Sequence, residues 1–175
     1  MARAFVSIGS NIEPAENVKE ALHLLGRQVD IRAVSTVYRT EPIGPQGQPS
    51  YYNCVIEIET ELPPRELKHR VLRRIEEALG RRRSGDNYAA RTIDLDLILY
   101  DELVLTTDDL TLPDPDIVRR PFLAIPLHEL EPGLVVPGSG SSIDEAASRL
   151  SRRGMKPLKS YTERIRKDIL HERKQ

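Results

Sequence analysis

The stretch from Arg91 to Tyr100 constrains the fold of this chain more than any other part of the sequence. Apolar and polar side chains alternate along it with a period of two residues, which predicts a β-strand. Asp94 and Asp96 therefore share one face of that strand, a two-residue step of roughly 6.5–7 Å apart. The other face is apolar and carries Ile93, Leu95, Leu97 and Leu99. We expect a half-buried strand that presents a pair of neighbouring carboxylates.

This carboxylate pair has two interpretations. Its charge is costly to bury in an otherwise hydrophobic strand unless a cation compensates it. Mg²⁺ is the natural candidate, because proteins hold it with one or two carboxylates together with substrate phosphates. The alternative is a solvated polar face on a half-covered sheet. The spacing of Asp94 and Asp96 leaves both open, and the arginines around the strand favour the metal site.

Arginines are concentrated next to the predicted strand. They occur in the helix before it, in the loop between the two, and at the start of the strand: Arg73, Arg74, Arg81, Arg82, Arg83 and Arg91. Arginines beside paired carboxylates suit phosphoryl transfer, since metal ions bridge phosphate oxygens while guanidinium groups clamp them bidentately. We interpret Arg81, Arg83 and Arg91 as candidates for phosphate contact and the remaining loop arginine as solvated. Neither a GxxxxGK[ST] nor a GxGxxG motif occurs, which excludes the usual nucleotide-binding folds.

The composition is that of a soluble globular protein. The 175 residues suffice for one domain with a sizeable core, and 39% of them are hydrophobic. No apolar run approaches the roughly 18–20 residues that cross a bilayer, and the N-terminus lacks the features of a signal peptide. The single cysteine, Cys54, excludes a disulfide framework and a thiolate zinc site, and the four histidines lack metal-ligand spacing. We therefore expect a cytoplasmic protein.

Charge is distributed unevenly along the chain. Residues 151–175, the basic tail, carry nine Lys/Arg against three Asp/Glu, a net of +6, so the whole-chain charge of −1 leaves −7 for residues 1–150. An acidic body is a poor non-specific binder of nucleic acid. Tyr161, Ile165 and Ile169 recur at roughly helical spacing, so we expect one domain over residues 1–150 and a solvated, lightly docked helix in the tail. An interaction tail is the alternative.

The order of predicted elements is β-α-β, loop, β-α, loop, β-β, helices. Two long loops, residues 39–50 and 81–90, are rich in Pro, Gly or Arg and interrupt regular structure. After Tyr100, a hairpin turn and a returning strand over Leu103–Thr106 are predicted. This order favours an α+β fold, a ferredoxin-like sandwich with helices on one face of a mostly antiparallel sheet.

Several short motifs occur in an order that is typical of one enzyme family. They are Gly9–Asn11, Ser35–Thr40, Gly44–Gln46, Pro49–Asn53, Glu76–Arg83, Arg91–Tyr100, Arg120–Phe122 and Pro126–Leu127. Together they resemble the 6-hydroxymethyl-7,8-dihydropterin pyrophosphokinases of folate biosynthesis. The resemblance covers about residues 4–150, and the strand motif with its two aspartates is the most specific part.

The resemblance implies an ATP-dependent enzyme with two Mg²⁺ ions. Such an enzyme transfers the β,γ-pyrophosphoryl group of ATP to the hydroxymethyl oxygen of the pterin and releases AMP. By position, Asp94 and Asp96 would hold the metal ions, and the catalytic arginines would be Arg81, Arg83 and Arg91. The nucleotide-side positions would be Arg73, Glu76, Leu97, Thr111 and Arg120. The pterin-side positions would be Thr40, Pro42, Ile43, Tyr51, Asn53 and Phe122.

The pterin-side residues suit a flat heteroaromatic ring. Tyr51 and Phe122 would stack on it, and Asn53 would pair with its amide-like edge. Two positions depart from the family pattern. Asp114 stands where the family usually has a histidine that reaches the nucleotide phosphates, and Tyr88 stands where it often has tryptophan. We expect the aspartate to repel the phosphates or to point away from them.

Two other functions are kept as alternatives. One is a different metal-dependent nucleotidyl or phosphoryl transferase on a similar fold. The other is a non-enzymatic nucleic-acid-binding module that uses the basic tail, although such sheets generally offer aromatic side chains where this one offers aspartates. The expected partners are the two small-molecule substrates, with no membrane, and the expected oligomeric state is a monomer or a weak homodimer.

Overall fold

An antiparallel sheet of six strands organises the chain in the computed structural model, which describes residues 1–41, 47–80 and 92–172. The strands run in the order β5-β1-β4-β3-β8, and β2 also pairs with β4. A separate two-stranded ribbon is formed by β6 and β7. The bounds are β1 Ala2–Ser10, β2 Asp30–Val34, β3 Tyr38–Thr40, β4 Tyr51–Thr60, β5 Asp94–Tyr100, β6 Leu105–Thr106, β7 Thr111–Leu112 and β8 Met155–Pro157.

Helices cover the sheet, and several begin at proline. Proline suits the first turn, where its missing N–H has no intrahelical partner to lose. The helices are α1 Pro14–Gly26, α2 Pro64–Glu66, α3 Arg73–Ala78, α4 Pro121–Leu130, α5 Ile143–Arg149 and α6 Lys159–Glu172. A π-helical segment, Leu67–Leu72, joins α2 to α3, and a 3₁₀-helix spans Pro115–Val118. Within the described ranges, no helix combines the length and the apolar composition that a bilayer span needs.

The two faces of the sheet bury separate cores. Val6 faces a core that contains residues of α1, of the π-helical segment and of α6, whereas its neighbour Phe5 faces a second core that α4 and α5 cover. The predicted α+β fold with an antiparallel sheet is confirmed. The expectation that helices occupy one face only is wrong, because the apolar residues of α4 and α5, among them Leu123 and Ile143, cover the other face.

Strand β5 follows the predicted alternation until Leu97. Val6 of β1 pairs with Leu97 and Phe5 pairs with Leu99, so Ile98 is an extra residue in β5. This bulge turns Leu99 into the second core beside Ile98, and the prediction that Leu99 shares the face of Leu97 is wrong. The carbonyl of Ile98 accepts a hydrogen bond from the Asp114 N–H at 2.9 Å, which brings the following loop back to β5.

The predicted hairpin after β5 is also wrong. Only Leu105–Thr106 of the expected returning strand is extended, and it pairs with Thr111–Leu112 instead of β5. The edge of β5 is approached by the loop at Asp114, which takes the place of the returning strand.

The basic tail belongs to the same sheet and core as the rest of the chain. Its helix, α6, is present, and it is docked more closely than we expected. Ile165 and Ile169 are 3% and 8% exposed and join the core that α1 covers. The preceding strand, β8, pairs with β3 at the edge of the sheet.

Candidate active site

A pocket of about 180 Å³ opens where β1, β4 and β5 meet the N-terminal end of α4. It contains six residues that the sequence singled out: four from the pterin-side group and both carboxylates of β5. We refer to it as the first pocket. Its lining comprises Ser7, Ile8, Gly9, Thr40, Glu41, Tyr51, Asn53, Cys54, Asp94, Asp96, Phe122 and Leu123.

The register of β1 brings these residues together. Gly9 lies opposite Asn53 on one neighbouring strand and opposite Asp94 on the other. A Cβ atom at Gly9 would lie 2.8 Å from Asn53 Oδ1, so only glycine leaves room for the asparagine side chain. A glycine inside a strand often marks such a close approach, which is the signal that the sequence offered.

Hydrogen bonding fixes the Asn53 side chain at the wall of the first pocket. Its Nδ2 atom donates to Thr40 Oγ1 at 2.5 Å. Tyr51 and Phe122 line the same pocket, and both are only partly buried. The pocket therefore offers two aromatic rings and an oriented amide, which together suit a flat, polar-edged ring.

The two carboxylates fit a magnesium site. Asp94 is half-buried and Asp96 is exposed, and both line the first pocket. In the part of the chain that the structure describes, no group of three or more His, Cys, Asp or Glu side chains could hold a metal ion. Two carboxylate ligands are sufficient for Mg²⁺, which keeps several waters and takes further oxygens from substrate phosphates.

A second pocket, of about 310 Å³, lies on the other side of Asp96. Leu97 and Thr111, both expected on the nucleotide side, line it. Asp96 is the residue that the linings of the two pockets share. The lining consists of Lys68, Leu95, Asp96, Leu97, Asp109, Leu110, Thr111, Asp114 and Pro115.

A family model described as 7,8-dihydro-6-hydroxymethylpterin-pyrophosphokinase (HPPK) matches residues 5–132. The chain belongs to this family. The prediction from the sequence motifs is confirmed, and so is the prediction that the chain is an enzyme, since the family consists of pyrophosphokinases.

Similar proteins are named as pyrophosphokinases or as folic acid synthesis proteins. The 2-amino-4-hydroxy-6-hydroxymethyldihydropteridine pyrophosphokinase of Haemophilus influenzae is 39% identical over 142 residues, which cover 79% of this chain and 88% of the relative. The protein of the same name from Synechocystis is 37% identical over 143 residues, covering 80% of this chain and 72% of the relative. Folic acid synthesis protein fol1 of Schizosaccharomyces pombe is 36% identical over 161 residues, 90% of this chain, but this chain spans only 22% of its length.

Solved structures support the same fold. Plasmodium falciparum HPPK-DHPS with pteroate matches with a TM-score of 0.70 at 13% identity. The match covers 89% of this chain and 45% of that protein. At this identity the similarity bears on the fold alone, and it agrees with the ferredoxin-like arrangement of strands and helices described above.

Lys68 is a residue of the second pocket that the sequence did not single out. Burial lowers the pKa of its amine, and Arg73 lowers it further, while Asp109 and Asp96 oppose the shift. The lysine belongs to the π-helical segment, a kind of segment that is often found at functional sites. In the sequence it resembles any solvated lysine on an amphipathic helix, so no pattern distinguished it.

Two carboxylates of the second pocket are engaged by the protein itself. Asp109 Oδ2 lies 2.6 Å from His69 Nε2 and 3.3 Å from Arg65, and the bond to His69 is the main cause that lowers the pKa of Asp109 to about 2. Asp114 Oδ1 accepts the N–H of Asp116 at 2.8 Å and so caps the 3₁₀-helix. Burial raises the pKa of Asp114. Asp114, the residue that we expect to differ from the family pattern, therefore lines the second pocket.

Three of the predicted nucleotide-side residues are not among those that line either pocket. Glu76 is buried, accepts the N–H of Leu95 at 3.2 Å and lies 3.3 Å from Arg73, so it joins α3 to β5 between the two aspartates. Arg120 precedes α4 and lies 3.9 Å from Asp116. Their roles stay predictions, as does the metal role of Asp94 and Asp96.

The remaining predicted residues lie outside the described parts of the chain. They are the three catalytic arginines, two residues of the first long loop and the tyrosine that replaces tryptophan: Arg81, Arg83, Arg91, Pro42, Ile43 and Tyr88.

Proposed function

We propose that this chain transfers the pyrophosphoryl group of ATP to the hydroxymethyl oxygen of 6-hydroxymethyl-7,8-dihydropterin in the presence of Mg²⁺. The products are AMP and the pterin diphosphate, an intermediate of folate biosynthesis. The presence of Asp96 in the lining of both pockets is the observation that carries this proposal. A group that passes from one bound substrate to another must cross between their sites, and the residue that both pockets share carries a carboxylate.

The first pocket would bind the pterin. Tyr51 and Phe122 would stack on its ring, and the amide of Asn53, oriented by Thr40, would pair with its edge. Leu123 and Ile8 contribute apolar wall. These contacts would hold the hydroxymethyl group toward the aspartates, and a fixed orientation removes much of the entropic cost of a reaction between two substrates.

The second pocket would bind ATP. Its apolar side, which includes Leu95, Leu97 and Leu110, suits the adenine ring. Lys68 would bring a positive charge toward the phosphates on the Asp96 side of the pocket. The predicted phosphate contacts of Arg81, Arg83 and Arg91 are part of the proposal on the strength of the sequence alone.

Asp94 and Asp96 would hold two Mg²⁺ ions, which neutralise the charge of the phosphate oxygens when bound. Glu76 holds the β5 backbone between the two aspartates in place, because its carboxylate accepts the N–H of Leu95. No side chain of the described residues stands out as a dedicated base for the pterin hydroxyl. Residence in the cytoplasm and a monomer or weak homodimer stay predictions.

The test is an assay of the purified chain with ATP, Mg²⁺ and 6-hydroxymethyl-7,8-dihydropterin. We expect AMP and pterin diphosphate in equal amounts, and no AMP when the pterin is omitted. Formation of ADP alone, or no turnover, would contradict the proposal. Binding of ATP without any binding of the pterin would favour the alternative of a different metal-dependent transferase.

A further inference from the structure

The first part of the basic tail makes a series of contacts with one short segment of the chain. That segment, residues 34–41, contains the end of β2, the break between β2 and β3, and β3 itself. Strand β8 pairs with β3 so that Pro157, Lys156 and Met155 lie opposite Tyr38, Arg39 and Thr40. Just beyond β3, the N–H of Glu41 donates to the carbonyl of Gly154 at 3.3 Å.

The tail also supplies hydrogen-bond partners at the break between the two strands. The N–H of Val37 donates to Thr162 Oγ1 at 2.9 Å, and the carbonyl of Val37 accepts the N–H of Leu158 at 2.8 Å. Arg166 Nε donates to the carbonyl of Val34 at 2.9 Å. Val37 and Thr162 are 0% and 2% exposed, so water cannot replace these bonds without a rearrangement.

The segment held in this way ends in the wall of the first pocket. Thr40 and Glu41 both line that pocket, and Thr40 Oγ1 accepts the hydrogen bond that orients Asn53. Strand β3 has only three residues and lies between β4 and β8 of the tail, so without β8 it would be a short edge strand with little stability of its own. The position of Thr40 therefore depends on what covers β3 on its outer side.

We propose that the basic tail positions Thr40 and Glu41 in the wall of the first pocket, and that Thr162 is the positioning residue at the centre of this contact. The effect on pterin binding rests on the proposed function, whereas the positioning itself does not. The tail thus supports the wall of the first pocket without lining it, and its helix does more than add apolar area to the core. Its net positive charge plays no part in the proposal.

The test compares two buried threonines with the same kind of hydrogen bond. Thr162→Val removes the acceptor of the Val37 N–H, and Thr60→Val removes the acceptor of the Leu62 N–H, which lies at 3.1 Å. Thr60 is 4% exposed and closes β4 at the end opposite Tyr51, roughly 30 Å along the strand. Both variants remove the acceptor of a backbone N–H, but only the first does so in the segment that leads to the first pocket. Thr162→Val also removes the hydroxyl that donates to the Leu158 carbonyl at 2.8 Å, which belongs to the same contact. Thr162→Ser keeps the hydroxyl and serves as the rescue.

Hydrogen exchange and steady-state kinetics are measured for each variant. In Thr162→Val we expect faster exchange at the amides of residues 37–41 and a KM for the pterin raised roughly five- to tenfold, which corresponds to about 1–1.4 kcal/mol. The KM for ATP should stay within about twofold, because the segment that the tail contacts lines the first pocket and not the second. Thr60→Val and Thr162→Ser should match the wild type in both measurements.

A failure of the positioning role can be distinguished from a failure of the proposed function. Equal exchange at residues 37–41 in Thr162→Val and Thr60→Val would overturn the positioning role, whatever the activity. A wild type that forms no AMP would contradict the proposed function, while the exchange comparison still decides the positioning. If Thr162→Val does not fold, Gly154→Ala and Gly140→Ala replace the pair. Both glycines have positive φ, +80° and +69°, but only Gly154 accepts the Glu41 N–H.

Discussion

Asp96 lines both pockets, and its carboxylate is the side chain on which the proposed chemistry depends most. It is exposed, whereas Leu95 and Leu97 on either side are buried, so the strand fixes its direction without enclosing it. A carboxylate in this position can contact ligands from both pockets. Asp94 lines only the first pocket. The two aspartates are therefore not equivalent, although the sequence presents them as a pair.

Asp96→Asn should abolish turnover while leaving the fold intact. The amide keeps the size of the side chain and removes its charge, so we expect a loss of about 10³-fold or more in kcat, since metal-bound charge stabilisation supplies several kcal/mol. The melting temperature should change by no more than a few degrees, because the side chain is exposed. Asp144→Asn, which removes a carboxylate that pairs with His128 on α4, is the control and should keep full activity. Retained activity in Asp96→Asn would remove the metal role.

Single residues differ in how far the sequence could predict them. The alternation of the strand predicts that Asp94 and Asp96 share a face, and the order of the family motifs predicts Asn53 and Phe122. The structure brings all four to one pocket. Lys68 was not found, because a π-helical segment aims it at the second pocket and nothing in its sequence neighbourhood reports that.

At the level of elements, local patterns predicted the long strands and the helices, but they missed the short strands β7 and β8 and did not predict strand partners. The alternation of β5 placed Leu95 and Leu97 correctly, since side-chain period depends on the strand alone. The bulge at Ile98 depends on the register with β1, which no local pattern contains. The isoleucines of α6, Ile165 and Ile169, were visible as a helical stripe, yet the surrounding charges favoured a solvated helix.

The close approach of β1 and β4 gives a prediction at this level. In Gly9→Ala, the added Cβ would lie 2.8 Å from Asn53 Oδ1, so the asparagine must turn away from the first pocket. We expect the KM for the pterin to rise by about tenfold, the loss of roughly one hydrogen bond to a bound ligand, with the KM for ATP unchanged.

Gly133→Ala is the matched control for this change, because nothing lies within 4 Å of a Cβ at that position. It should leave both KM values as they are. A pterin KM that is the same in Gly9→Ala and Gly133→Ala would show that the orientation of Asn53 does not matter for pterin binding.

For the whole molecule, the net charge and the carboxylates of the second pocket disfavour the binding of anionic ligands. Residues 1–150 carry a net charge of −7, and the second pocket contains Asp96, Asp109 and Asp114. Asp109 is bound by His69, but Asp114, at the position where we expect the family to have a histidine, is partly desolvated. The cost of this aspartate should be measurable in the stability of the whole chain.

Asp114→Asn should stabilise the protein in a pH-dependent way. Burial raises the pKa of Asp114, so the folded state binds the proton more tightly than the unfolded state does. The ionised carboxylate therefore lowers the free energy of unfolding at pH 7, and this cost disappears as the pH falls through the raised pKa to below the ordinary value of 3.8. Asparagine keeps an oxygen that can accept the Asp116 N–H, so the cap of the 3₁₀-helix is retained.

Thermal or urea unfolding at pH 7 and at about pH 3, below the ordinary carboxyl range, measures this difference. We expect Asp114→Asn to exceed the wild type at pH 7 and to match it at the lower pH, whereas Asp108→Asn, at an exposed carboxylate, should show no such trend. A difference that is the same at both pH values would contradict the burial of a costly charge.

Asp114→Asn should also lower the KM for ATP, because the same substitution removes a negative charge from the second pocket. A stabilised variant with an unchanged KM for ATP would mean that Asp114 points away from the phosphates.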